Sequence, residues 1–372
     1  MTMSRFESRI RSLMGKGAMV CALALASTNI AQARDASTPH NFVGWVWGNE
    51  PTATSCYTPS TSYSYNSQNG SIQICPLGTG DYEVEFGSLY HAQPDDIQIT
   101  AYDTSGYCVS NGWGPSGSTL IAYVGCYDAN GNPQNDYFTL LYQARTKDFG
   151  KSKKGIAFLW ADEPTSSSYT PSSSYQFNST GGTNTIVRES AGSYIATIPG
   201  LYYEHSDVQV TTYDGAARCK VNSWGPGSGG GTDIYIQCYN SAGSPADEYY
   251  DLAYAVKEPF GLTTAAHSTG AWAWADDDTS TSVYTPSTYY QYNGFRTGKL
   301  TAQKLGTGTY AVYIPGTLAY NTSHVLVTAY GSDNSNYCNT YFWGSSEAEV
   351  LCYAQGGVPA DTQFDLTFQT AE

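Results

Sequence analysis

Three acidic residues stand at one fixed spacing from three tryptophans. Glu50, Glu163 and Asp277 follow Trp47, Trp160 and Trp274 by three positions. A carboxylate beside an aromatic face suits glycoside hydrolysis, which needs an acid and a base a few ångströms apart. Each copy would then need a second carboxylate. Asp247 and Asp361 match one another, but Asn135 stands at the corresponding place. Three equal active sites are therefore not expected, and a turn-forming or surface role for the first acid is preferred.

Other chemistry fares no better. His40, His91, His205, His267 and His324 fall at unmatched positions, and the chain has no Ser-His-Asp pattern, H-E-x-x-H or phosphate-binding glycine loop. No catalytic residue is assigned and an enzyme is not expected. "DANGNPQND" at Asp128 to Asp136 alternates oxygen-bearing side chains as a calcium loop does. Its glycine is fourth rather than sixth, however, and the sister loops "NSAGSPADE" and "AQGGVPADT" lose most of the ligands. Asn130-Gly131 instead predicts a hairpin turn. No metal or cofactor is assigned.

Aromatic residues remain in excess: 33 tyrosines and 8 tryptophans in a chain with only 13% charged residues. Tyr and Trp join an apolar face to a hydrogen-bonding edge, which suits sugar rings, extended polymers and protein partners. Tyr102, Tyr213 and Tyr330 fall on the polar side of their strands by alternation. Trp113, Trp224 and Trp343 each end a Cys-x4-Trp-Gly motif. They lie five residues from an inward cysteine, so an unbroken strand turns them outward as platforms, whereas a bulge turns them in as plugs against a disulfide. Both readings stand. With Glu50, Glu163 and Asp277, these aromatics make up the candidate ligand-binding set.

The elements that position them come in three copies. "YTPSTSYSYN", "YTPSSSYQFN" and "YTPSTYYQYN" begin at Tyr57, Tyr169 and Tyr284. The units span 41–146, 154–257 and 269–372, which is the size of a domain and too long for a solenoid repeat. Linkers are expected at 147–153, where Lys147, Lys151 and Lys153 with the adjoining Lys154 make a basic stretch, and at 258–268. Inside a unit the period is two. Ile97, Ile99 and Ala101 alternate with Gln98, Thr100 and Tyr102, and Val208/Val210 and Val325/Val327 copy the inward set. About seven or eight short strands per unit, joined by Gly, Asn, Asp and Pro turns, predict an all-β chain. Three tandem antiparallel β-sandwich or small β-barrel domains are expected. The decapeptide reads as a domain-opening strand with Tyr63 and Tyr65 on one face and Pro59 at its entry.

Of nine cysteines, Cys21 lies in the N-terminal leader, which leaves an even number. Cys126, Cys238 and Cys352 share faces with apolar neighbours and point into the core. Units two and three hold two cysteines each, so Cys219 pairs with Cys238 and Cys338 with Cys352. Position then pairs Cys108 with Cys126 and leaves Cys56 with Cys75. Each bridge closes about 15 to 20 residues and is worth roughly 3 kcal/mol.

Arg5, Arg9, Arg11 and Lys16 precede the apolar run "AMVCALALA", and "AQA" follows at Ala31 to Ala33. This pattern reads as a signal peptide over 1–33 and is too short for a membrane anchor. The formal net charge of -15 becomes more negative without that leader, which argues against nucleic acid and acidic membranes as partners. No later stretch approaches the roughly 18 apolar residues of a membrane helix. A soluble exported protein is expected, extracellular or associated with the cell envelope.

"YTPS" at Tyr57 to Ser60 and its copies, the three Cys/Trp pairs and "PADTQF" at Pro359 to Phe364 give the chain its family likeness. It resembles uncharacterised exported bacterial proteins built from tandem units of about 100 residues. Unit one departs from the pattern with "PQNDYF". The resemblance implies export and modularity and assigns no activity. The functional expectation is a non-catalytic array binding an extracellular polysaccharide or cell-surface component through several weak sites. A structural or self-associating subunit is the alternative, and a glycoside hydrolase-like enzyme comes third.

Overall fold

Alternating apolar residues broken by turn formers produce strands almost throughout. The computed structural model describes residues 42–90, 94–144, 155–202, 204–261, 268–317, 322–332 and 334–371. The expected leader at 1–33 and linker at 147–153 lie outside these residues, as do His40, His91 and His267.

The first unit contains β1 (Phe42–Gly48), β2 (Ser64–Asn66), β3 (Ile72–Gly78), β4 (Asp81–Phe86), β5 (Asp95–Tyr102), β6 (Tyr107–Ser116), β7 (Thr119–Tyr127) and β8 (Tyr137–Ala144). The second contains β9 (Gly155–Ala161), β10 (Ser168–Tyr169), β11 (Gln176–Asn178), β12 (Thr185–Ser190), β13 (Ser193–Ile198), β14 (Ser206–Tyr213), β15 (Ala217–Pro226), β16 (Thr232–Asn240) and β17 (Tyr249–Val256). The third contains β18 (Thr269–Ala275), β19 (Gln291–Asn293), β20 (Thr301–Gly306), β21 (Thr309–Tyr313), β22 (Thr322–Tyr330), β23 (Tyr337–Trp343), β24 (Glu347–Ala354), β25 (Val358–Pro359) and β26 (Gln363–Ala371).

Each unit is an antiparallel sandwich of two half-sheets. In the first, β2-β1-β8-β5 packs on β3-β4-β7-β6. Ile74, Tyr82, Val84, Phe86, Ile97, Leu140 and Tyr142 fill the space between them. Equivalent cores fill the other two units. The fold is all-β, with three sandwiches in tandem and a disulfide facing each core. Cys108–Cys126, Cys219–Cys238 and Cys338–Cys352 join directly opposed residues of neighbouring strands. Cys56–Cys75 is an extra tie at the edge of unit one.

The sequence does not announce that the sheets pass from unit to unit. A single parallel pairing, Thr340 with Tyr102, joins β23 of unit three to β5 of unit one. Tyr213 with Ser110 joins β14 to β6, and Val221 with Tyr330 joins β15 to β22. The links run one to three, two to one and three to two, so the three units close on themselves around a pseudo-threefold axis. Three central strands, β5, β14 and β22, surround that axis. Thr211 Oγ1 accepts from the Ile99 amide at 2.8 Å, Thr328 Oγ1 from Val210 at 3.0 Å, and Thr100 Oγ1 from Val327 at 3.1 Å. One threonine from each unit thus completes a ring of three bonds. Val43, Trp45, Ile156, Phe158, Leu326 and their neighbours form a further apolar cluster among the units. Phe260, inside the expected linker 258–268, is fully buried in that cluster, and its carbonyl accepts from Gln369 Nε2 at 3.2 Å.

Candidate functional sites: the aromatic seams, the axis and an outer groove

In all three copies the register shifts by one residue between cysteine and tryptophan: Ser110/Gly112, Val221/Ser223 and Thr340/Phe342. These bulges cancel the odd spacing and turn each indole inward. Trp113, Trp224 and Trp343 are 5%, 9% and 3% exposed. Each reaches beyond its own core into the next unit. Trp343 lies 5.3 Å from Tyr102, 5.2 Å from Tyr63 and 6.0 Å from Trp47, all in unit one. Trp113 meets Tyr175 at 5.6 Å and Tyr213 at 6.1 Å in unit two. Trp224 meets Tyr290 at 5.4 Å, Tyr330 at 5.5 Å and Trp274 at 5.9 Å in unit three. Most are edge-to-face contacts, the arrangement ring quadrupoles favour. Tyr102, Tyr213 and Tyr330 are half-buried in these seams. Burial pushes the Tyr102 and Tyr330 hydroxyls up to about 12. The outward platform imagined for these six aromatics is thus occupied by the neighbouring unit.

The recurring acids lie at the surface. Glu50 and Glu163 are exposed and Asp277 partly so. Asp277 accepts from the Thr279 hydroxyl at 2.7 Å and from the amides of Thr279 and Ser280, bonds that hold its carboxyl below the usual range. Glu163 accepts from Ser166 Oγ at 2.7 Å. Backbone amides of Glu50 and Asp277 donate to the hydroxyls of Tyr57 and Tyr284 at 3.2 and 3.1 Å. In units one and three the first tyrosine of the decapeptide therefore anchors the turn that carries the acid. Its last residue does similar work: Asn66, Asn178 and Asn293 donate to the carbonyls of Gly87, Pro199 and Pro315.

The second recurring acid closes a hairpin. Asp247 takes the Gly192 amide at 2.9 Å and Asp361 the Gly308 amide at 2.9 Å, and in unit one Asn135 takes that of Gly80 at 2.7 Å. Those glycines have φ of 71°, 64° and 71°, and a Cβ there would stand 2.3–2.4 Å from the carbonyl oxygen of the core cysteine. Asp247 also grips Arg188 through two bonds of 2.8 Å, and Lys304 pairs with Asp361. Opposite Tyr82, where the sister units carry these cations opposite Tyr194 and Tyr310, unit one has Pro76, so acid and cation disappear together. Asp128, in the loop weighed for calcium and read instead as a hairpin turn, is spent on its own turn and accepts from the amides of Asn130 and Asn132, both at 2.9 Å. Among the described residues no three His, Cys, Asp or Glu side chains converge as metal ligands.

Missed by the sequence reading are the acids on the axis. Asp96, Asp207, Asp251 and Asp365 are at most 2% exposed. Asp96 accepts from Gln98 and Gln143, each at 3.0 Å, and burial still pushes it up to about 7. Burial pushes Asp207 to about 8. Asp251 and Asp365 have no hydrogen-bond partner at either oxygen, and burial drives both well above the ordinary value; the neighbouring carboxyls of Asp96 and Asp207, respectively, add to the effect. His324 is fully buried and depressed by burial to about 3 despite Gln369, so it is neutral. These groups face a buried junction, away from the solvent-exposed surface. A hint lay in the sequence: acids recur at two of three equivalent places in two sets, with His324 completing that of Asp96 and Asp207 and Thr139 that of Asp251 and Asp365.

The outer face carries an open groove of about 600 Å³ in unit two. Thr170, Pro171, Ser172, Gln176, Phe177 and Thr183 line it, and no lining residue is charged. Most of its wall is the decapeptide itself.

Fold and sites define a closed all-β protein of three units, and no carboxylate lines the outer groove or the axial cavity. Comparison with protein-family models, curated proteins and solved structures finds no match. The four disulfides belong to an oxidising environment of the extracellular kind. Among the described residues no helix is long and apolar enough to cross a membrane.

Proposed function

We propose that this chain is a secreted, non-catalytic binding protein, exported by its N-terminal leader, that holds a neutral extended ligand of the polysaccharide class on its outer surface. The observation that carries this reading is the uncharged groove along Tyr169 to Asn178, walled by hydroxyls, the amides of Gln176 and Asn178 and the half-buried Phe177 ring. Hydroxyl-rich walls with an aromatic face match the alternating polar and apolar surfaces of a sugar chain. The decapeptide recurs at Tyr57 and Tyr284, with Tyr65 and Tyr292 for Phe177, Ser64 for Gln176 and Lys299 for Thr183, so related hydroxyl-rich walls in the other units would add multivalent engagement. Retention on insoluble neutral polysaccharides tests it. Wild type should be retained, and Ser173→Arg/Thr183→Arg, which fills the groove from two exposed positions, should pass through. Equal retention of the two proteins removes the groove from the account.

A second reading, self-association, is favoured by aliphatic side chains on and beside edge strands. Leu77 on β3 and Leu305 on β20 are 50% and 49% exposed, and Val283 beside β20 is 56% exposed. Open edges with apolar side chains invite pairing. Concentration-dependent growth in light scattering, with no polysaccharide retention, would select this reading.

A further inference from the structure

Tyr107, Arg218 and Tyr337 occupy one equivalent position, immediately before the first core cysteine of each unit. Two units place a neutral ring there and the third places a permanent cation. Arg218 is 5% exposed, and its guanidinium carbon sits 4.9 Å from the Tyr107 ring centre and 4.5 Å from that of Tyr337. Nη2 donates to Gln355 Oε1. Nε and Nη1 are buried with no hydrogen-bond partner. Arg218 also lines a cavity of about 50 Å³ with Thr100, Thr211 and Thr328 of the axial ring, and no carboxylate lines it.

A guanidinium stays charged in a protein. Two aromatic faces offset part of its lost hydration. Two unmet N–H groups in a buried place still call for an acceptor, and a buried charge calls for a counter-charge. The cavity has room for a small ion with a water or two and falls far short of the roughly 300 Å³ of an organic-ligand pocket.

We propose that the cavity on the pseudo-threefold axis is a halide site, with a chloride-class monovalent anion held by Arg218 Nε and Nη1. Occupancy neutralises the Arg218 cation beside the axis and ties the closure of the three units to halide concentration.

The test melts the intact, disulfide-bonded protein at constant ionic strength while bromide replaces gluconate stepwise. The wild-type Tm should rise by a few degrees over a hundredfold range of bromide above its dissociation constant, and Arg218→Gln should lose that rise. A wild-type Tm indifferent to bromide, or an equal rise in both proteins, overturns the proposal. Should Arg218→Gln fail to fold, bromide anomalous diffraction from wild-type crystals decides. A peak in the cavity beside Arg218 supports the site, and an empty cavity or water alone at saturating bromide rejects it.

Discussion

Replacing Asp251 with threonine is expected to stabilise the protein, and to do so more at neutral pH than in acid. Asp251 faces the axis from β17, fully buried and with both oxygens unpaired. Unit one has Thr139 at that place, and its hydroxyl donates to the Val325 carbonyl at 2.9 Å. Thr100 pairs with Thr139 exactly as Thr211 pairs with Asp251, so the substitution copies a solution the fold already uses. Burial keeps this carboxyl from ionising, at a cost that grows by about 1.36 kcal/mol for each pH unit above 3.8 until the raised value is reached. Threonine removes that cost and adds a bond worth about 1 kcal/mol. Partial relaxation around the site leaves an expected gain of about 2–4 kcal/mol at pH 7. The folded-state value of Asp251 is raised, so its contribution is fully present below 3.8 and lost as pH climbs toward the raised value. At pH 4 the gain should therefore shrink to about 1 kcal/mol, the part due to the new bond. Urea denaturation of both proteins at pH 4 and pH 7, followed by tryptophan fluorescence with disulfides intact, reads the difference. A lower midpoint for the variant at pH 7, or a gain that is the same at both pH values, refutes the reasoning.

Trp224→Ala should cost about 3–5 kcal/mol, since it empties one seam and removes the indole's bond to Ser206 Oγ at 2.9 Å; faster cleavage by a protease at low denaturant checks it. Tyr284→Phe keeps the ring and loses the acceptor of the Asp277 amide, for an expected loss of about 1 kcal/mol in urea midpoints. Asp247→Asn copies Asn135 and leaves the Gly192 amide satisfied while breaking the Arg188 pair. The pair is solvent-accessible and screened, so only a small loss at neutral pH is expected. Arg188 holds the Asp247 carboxyl low, so that contribution is present above the ordinary carboxylate range and lost as pH falls through the lowered value. The variant and its parent should then melt together in acid and in high salt.

Much of the fold can be read from the chain because each sandwich follows a two-residue period. Ile97, Ile99 and Ala101 do face the core, and the four cysteine pairings are those found. Alternation fails on the opposite face. Asp96, Gln98 and Thr100 look like the wet side of a half-buried strand, and in an isolated sandwich they would be. Here the other units cover that side, and the sheet is buried on both faces. Three single-residue parallel pairings carry the closure, too little sequence to leave a pattern. The tryptophans pose a related difficulty, since a one-residue bulge reverses the face a spacing argument predicts. Candidate binding residues drawn from outward aromatics thus turned out to be seam residues, while the groove, built of common hydroxyl residues, carries no distinctive signal.

The cyclic handing on of strands from unit to unit also bears on how many repeats such a chain can contain. In an open array a fourth copy could be appended at either end at no cost to the others. Here each unit offers one strand edge and receives another, and the third receives what the first offers, so every junction is used. A fourth copy would find no place to dock, and loss of one would leave two raw edges. A chain holding one unit alone would face the same arithmetic and could complete its sheets only by meeting two further copies of itself. Three is therefore a number set by geometry, and the linkers do in one molecule what concentration would otherwise have to do.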